Sequence, residues 1–166
     1  MPRPSGLSII DDDSASIIAA VAKVDIRGRL NILPRWRKKV PWLVPTGEPD
    51  LQALMIFAEP GLISIIDWKV QGPRIQQRIS DLSNSTDAEA IEALRLIKDR
   101  YQRLIIPVRD RTSLGDAALA HLGMRVERGQ KSIIYVYVYS DRIELMSPAC
   151  RDTKLLEGHP LIEDLP

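Results

Sequence analysis

The chain is predicted to be an α+β protein, mostly β, with a few short helices, and three observations carry that expectation. Its hydrophobic share of 45% contains few aromatics, with four Tyr, three Trp and one Phe. The core is therefore built mainly from Ile, Leu, Val and Ala, whose β-branched members favour strands. Short apolar runs are punctuated by Pro, Gly and Asp, as in hairpins. The same order of elements also occurs twice, and a repeat governs how every later element is read.

The elements follow in order. Residues 1–15 hold Pro, Ser, Gly and the run Asp11 to Asp13, which predicts an acidic, flexible tail. From Ser16, SIIAAVAKV reads as a strand, DIRGR as a polar corner and LNIL as a second short strand. Pro34 opens PRWRKKV as a short helix, because the N–H it lacks is one that a first turn leaves unpaired anyway. Pro41 stops that helix. PWLVPTGEPD, with three prolines and a glycine, reads as a loop. ALMIFAE and LISIIDW, joined through Pro60 and Gly61, form a hairpin. Between Val70 and Ser85 no apolar period is visible, so no regular element is expected. Thr86 and Glu89 then have capping-box spacing, with Ile91, Leu94 and Ile97 along one helical face.

After Arg100 the order returns. YQRLIIP is a strand, SLGDAALAHLG a helical stretch closed by Gly123, and KSIIYVYVY turns at Ser140 and Asp141 into RIELM. The expected organisation is a first unit over 16–70, a loop and linker helix over 71–98, a second unit over 99–150 and a flexible tail over 151–166.

At 166 residues the chain can bury a real core, and its composition excludes collagen, a disulfide scaffold and full-length disorder. Cys150 has no intrachain cysteine to pair with, so a reducing, cytoplasmic compartment is the natural reading. No run reaches the roughly 18–20 apolar residues of a membrane helix, and no membrane contact is expected.

Net charge is only +1, but the charges are segregated. From Lys23 to Lys39 seven bases face one acid, Asp25, and from Arg95 to Arg111 six bases face two, Asp99 and Asp110. Local fields of this kind, not net charge, attract polyanions. Both blocks contain DxxxRL, at Asp25–Leu30 and Asp99–Leu104. An acid and a base four apart usually form a solvated pair contributing about 1 kcal/mol or less. Recurrence in matching strand context gives the motif its weight.

On these residues the chain resembles the swapped-hairpin SpoVT/AbrB family, and within it the MraZ group, whose chains carry two such units with a DxxxR motif in each. The matches are VDIRGRL from Val24 to Leu30, the Trp36 and Arg37 pair, RLIIP from Arg103 to Pro107, and LGMRVERGQKSIIYVYVYSDRIELMS from Leu122 to Ser147, within a span from Ile17 to Pro148. Leu33 stands where the family has proline, with Pro34 one step later, and Gln102 replaces the glycine of the second motif. The resemblance implies a double-unit swapped-hairpin barrel whose corner bases contact DNA: Lys23, Arg27 and Arg29 in the first corner, Arg100 and Arg103 in the second. Arg103 facing inward is an equal reading. Asp25 and Asp99 are expected to orient the turns. Gln102 predicts a second corner of different shape, because glutamine enters positive φ only at a steric cost.

The expected function is therefore sequence-specific binding of double-stranded DNA by a nucleoid-associated transcriptional regulator, with repression and activation both open. A homo-oligomer is expected because one pair of corners neutralises few phosphates. The alternatives are a structural or partner-binding module that keeps the fold without DNA binding, or an antitoxin-like relative whose acidic tails dock a basic protein partner. There is no GxSxG, P-loop or GxGxxG, and no His, Cys or carboxylate pair has metal-ligand spacing. Neither catalysis, a metal nor a cofactor is expected.

Arg35, Arg37, Lys38 and Lys39 fall on the short helix, where outward charge is ordinary; phosphate contact and subunit contact are equal readings for them. Trp36 reads as core and His121 as a packing or capping residue. Tyr135, Tyr137 and Tyr139 share one strand face opposite Ile134, Val136 and Val138, so both faces are expected to be covered.

Overall fold

The computed structural model describes residues 17–44, 50–124 and 132–157. The acidic segment 1–15, the middle of the proline-rich loop and the chain beyond Glu157 lie outside the described residues. The first half consists of β1 (Ile18–Val24), β2 (Arg29–Leu30), α1 (Pro34–Lys39), a 3-10 turn (Pro41–Leu43), β3 (Asp50–Phe57), β4 (Leu62–Asp67) and α2 (Trp68–Ser83). The linker helix α3 (Ala88–Arg100) leads to β5 (Tyr101–Pro107), β6 (Thr112–Ser113), α4 (Asp116–His121), β7 (Ser132–Val138), β8 (Ile143–Met146) and α5 (Pro148–Leu156). Each half is thus a strand, a corner, a short strand, a short helix, a hairpin and a covering helix.

The strands form one antiparallel sheet in the order β5-β3-β4-β8-β7-β1-β2-β6. β6 comes back beside β5, so the sheet is a nearly closed barrel. The halves are interleaved. β1 pairs with β7 of the other half, from Ile18↔Val138 to Val24↔Ser132, and β5 pairs with β3, from Tyr101↔Ile56 to Pro107↔Asp50. The hairpins meet through β4 and β8, and the short strands through β2 and β6.

Alternation along the strands puts one set of side chains inside. Ala20, Ala22 and Val24 of β1, Ala53 and Met55 of β3, Leu104 and Ile106 of β5, and Ile134, Val136 and Val138 of β7 fill the interior. Trp36 of α1, 1% exposed, joins them, as expected of the apolar side of a helix that lies beside a core. Tyr137 lies on the opposite face of β7, where it packs with Ala19, Leu62 and Met146 against Cys150 of α5.

Three sequence expectations change. The stretch from Val70 to Ser85 belongs to α2, a helix whose Asp67 cap accepts a hydrogen bond from the Lys69 amide at 3.0 Å. α3 begins one residue later than the capping-box spacing predicts, with Asp87 as its cap, accepting from the Glu89 amide. The tail expected from residue 151 is helical as far as Leu156. Pro148 opens α5, and Ser147 Oγ accepts from the Cys150 amide at 3.1 Å.

Candidate nucleic-acid interface

The first corner is built around one carboxylate. After Val24 closes β1, the Gly28 amide donates to the Asp25 carbonyl at 2.9 Å, and Gly28 adopts φ +74°, a conformation that glycine enters without strain. Asp25 Oδ1 accepts from the amides of Arg27 and Arg29, both at 2.9 Å. Its Oδ2 accepts from Arg29 Nε at 2.9 Å and from Arg111 Nη1 at 3.1 Å. Burial alone pushes this carboxyl up, but the Arg29 and Arg27 amides and the Arg111 and Arg29 guanidinium groups outweigh it and hold the pKa at about 2.

Strand register fixes where the second corner lies. Val24 ends β1 opposite Ser132, the first residue of β7, and Pro107 ends β5 opposite Asp50, the first residue of β3. Val24 and Pro107 are therefore equivalent. The β2–β6 register, Arg29↔Ser113 and Leu30↔Thr112, agrees, making Thr112 the counterpart of Arg29. The counterpart of Asp25 is Val108, and the second corner is Val108-Arg109-Asp110-Arg111.

This corrects the placement of the second motif. Asp99 and Arg100 end helix α3, and Gln102 and Arg103 lie within β5. None of the four is in a corner, so Asp99 orients no turn and Gln102 has no bearing on corner shape. Asp99 instead pairs with Arg95 on its own helix at 3.1 Å. Arg103 points out of the barrel, its guanidinium 4.3 Å from the Trp68 ring centroid.

The two true corners flank the short β2–β6 pair and are laced together. The Leu114 amide donates to the Gly28 carbonyl at 3.1 Å, and the Leu119 side chain of α4 lies against Gly28. Beside the first corner is a groove of about 260 Å³ lined by Lys23, Asp25, Asn31, Leu33 and Trp36, which Arg111 of the second corner also lines. Lys23, Arg27 and Arg109 are exposed, and among the described residues no carboxylate pairs with them. Arg29 and Arg111 are 39% and 54% exposed while anchored on Asp25. Of the residues expected at the corners, Lys23, Asp25, Arg27 and Arg29 lie together here, joined by Arg109 and Arg111, which the DxxxR pattern places in no corner. Their signal is their place in the second basic block, directly after a strand that ends on proline.

Neighbouring residues serve the scaffold. Arg37 Nη2 donates to the Pro107 carbonyl at 2.7 Å, which braces the end of β5, and burial lowers its pKa. His121 Nε2 lies 2.9 and 3.0 Å from the carbonyl oxygens of Glu59 and Leu62, and its ring packs on Phe57. Among the described residues no cluster of His, Cys, Asp or Glu is placed to hold a metal ion, and no helix is long and apolar enough to cross a membrane. No protein-family model and no curated protein matches the chain.

Proposed function

We propose that this protein binds duplex DNA through its two corners and regulates transcription as an AbrB-like swapped-hairpin protein. The observation that carries this reading is the gathering of Lys23, Arg27, Arg29, Arg109 and Arg111 around the β2–β6 pair, two of them on one carboxylate. The exchange of β1 and β5 between halves is the arrangement expected of interlocked hairpins.

The bases divide by their freedom. Among the described residues Lys23, Arg27 and Arg109 carry no ion pair, and they suit phosphates, which position a protein without reading sequence. Arg29 and Arg111 are held in place by Asp25, and a guanidinium fixed in this way suits the O6 and N7 acceptors of guanine. Three phosphate contacts per molecule give a salt slope of roughly −3 in log K against log salt. A homo-oligomer on repeated short boxes multiplies those contacts by raising the effective concentration of each further corner. Association with the nucleoid follows.

The test is a fluorescence-anisotropy titration with duplexes from the region upstream of the chain's own gene at two salt concentrations. Arg27→Ala and Arg109→Ala are expected to weaken binding to all sequences and to reduce the salt slope by about 1 each. Arg29→Ala is expected to relax sequence preference, costing about 1–3 kcal/mol on the preferred site. Arg100→Ala leaves binding unchanged. Equally weak binding by the wild type and every corner variant would reject the proposal in favour of a module that keeps the fold without DNA binding.

A further inference from the structure

We propose that the crevice between the α2–α3 helical pair and the outer face of β3 and β5 binds a small amphipathic carboxylate, an apolar body with one anionic head. This site is separate from the corners and does not depend on DNA binding. Its volume is about 420 Å³, within the roughly 300–1,000 Å³ of small-molecule sites. Leu54 of β3 and Tyr101 of β5 supply its floor, Ile75 and Ile79 of α2 one wall, and Ile97 of α3 the other.

Both charged side chains in this lining are cationic. Lys98 comes from the last turn of α3 and Arg103 from β5, directly opposite Leu54, and among the described residues no acid lines the crevice. Among the described residues no carboxylate pairs with either cation. Arg103 is oriented by its stacking on Trp68. That indole lies back on its own helix because residue 72 is glycine: a Cβ there would stand 2.3 Å from the ring. A guanidinium stacked through its face keeps its in-plane N–H donors available, and two parallel donors match a carboxylate. Gln76 adds an amide group at the same rim.

The other half makes the comparison. There α5 packs directly onto the sheet, with Cys150 against Tyr137 and Met146. Here α3 buries none of its residues, and the space beneath the helical pair stays open. Burying an apolar body against the half-buried Ile75, Ile79, Ile97 and Tyr101 is favourable in proportion to the area removed from water. Lys98 and Arg103 receive the charged head. A bare inorganic anion would use the cations and leave the apolar lining wet, and an alcohol would do the reverse.

Isothermal titration of the intact chain tests this with decanoate below its micelle concentration, naphthalene-2-carboxylate, decanol and inorganic phosphate. At least one carboxylate is expected to bind with one-to-one stoichiometry, at least tenfold more tightly than decanol, with phosphate undetected. Arg103→Gln and Lys98→Gln are expected to lose most of that preference while leaving decanol binding and the circular dichroism spectrum unchanged. Ile79→Gln is expected to weaken carboxylate and alcohol alike. Equal affinity for carboxylate and alcohol, no binding of either carboxylate, or wild-type affinity in Arg103→Gln overturns the proposal.

Discussion

Asp25 joins two segments that lie 86 residues apart, through a single oxygen that accepts from both Arg29 and Arg111. Its folded pKa of about 2 lies below the ordinary 3.8, so the ionised form is the one that stabilises the fold. That stabilisation is complete above about pH 4 and is lost as pH falls through 2. Asp25→Asn is therefore expected to cost about 1–2 kcal/mol in urea unfolding at pH 7, with the difference from wild type narrowing below about pH 4 and closing only below pH 2. Gly28 is the other decisive residue of the corner. An alanine Cβ would stand 2.7 Å from Leu119 Cδ1, but that methyl group can swing aside, so the positive φ dominates. Gly28→Ala is expected to cost about 1–2 kcal/mol, and adding Leu119→Ala should not recover it.

At the scale of elements, legibility followed how local each signal is. The hairpins and the short helices α1 and α4 are bounded by Pro, Gly and Asp within a few residues, so their ends are written in the sequence. Helix α2 is not: Gly72 and Pro73 read as a break, and Ile75, Ile79 and Leu82 are diluted by Gln and Arg. Pro73 is the sixth residue of α2; it cannot donate to the Lys69 carbonyl, and its ring crowds that group. Pro73→Ala is accordingly expected to stabilise the protein by about 1–3 kcal/mol, seen as a higher Tm. The second DxxxR misled for a related reason. Four residues is also the spacing at which helix neighbours pair, and Asp99 uses it toward Arg95. The basic block and the proline that ends β5 mark the neighbourhood of the second corner, but its alignment, in which Val108 answers to Asp25, comes from the long-range register.

For the molecule as a whole, the interleaving of halves sets the folding behaviour. β1 finds its partner in β7, and β5 in β3, so neither half can complete its sheet alone. If the chain is cut between Asn84 and Ser85, each piece is expected to be unfolded or to pair with its own copy, while mixing the two restores the native circular dichroism and elution volume. Two pieces that each fold as monomers would contradict the pairing. The exchange also has a directional result. Strand for strand the two halves match, but Asp25 and Arg29 of one answer to Val108 and Thr112 of the other. A symmetric body meeting this end of the barrel touches unlike left and right sides, so each molecule sits on it with a heading, and a row of them along a repeated track would face the same way.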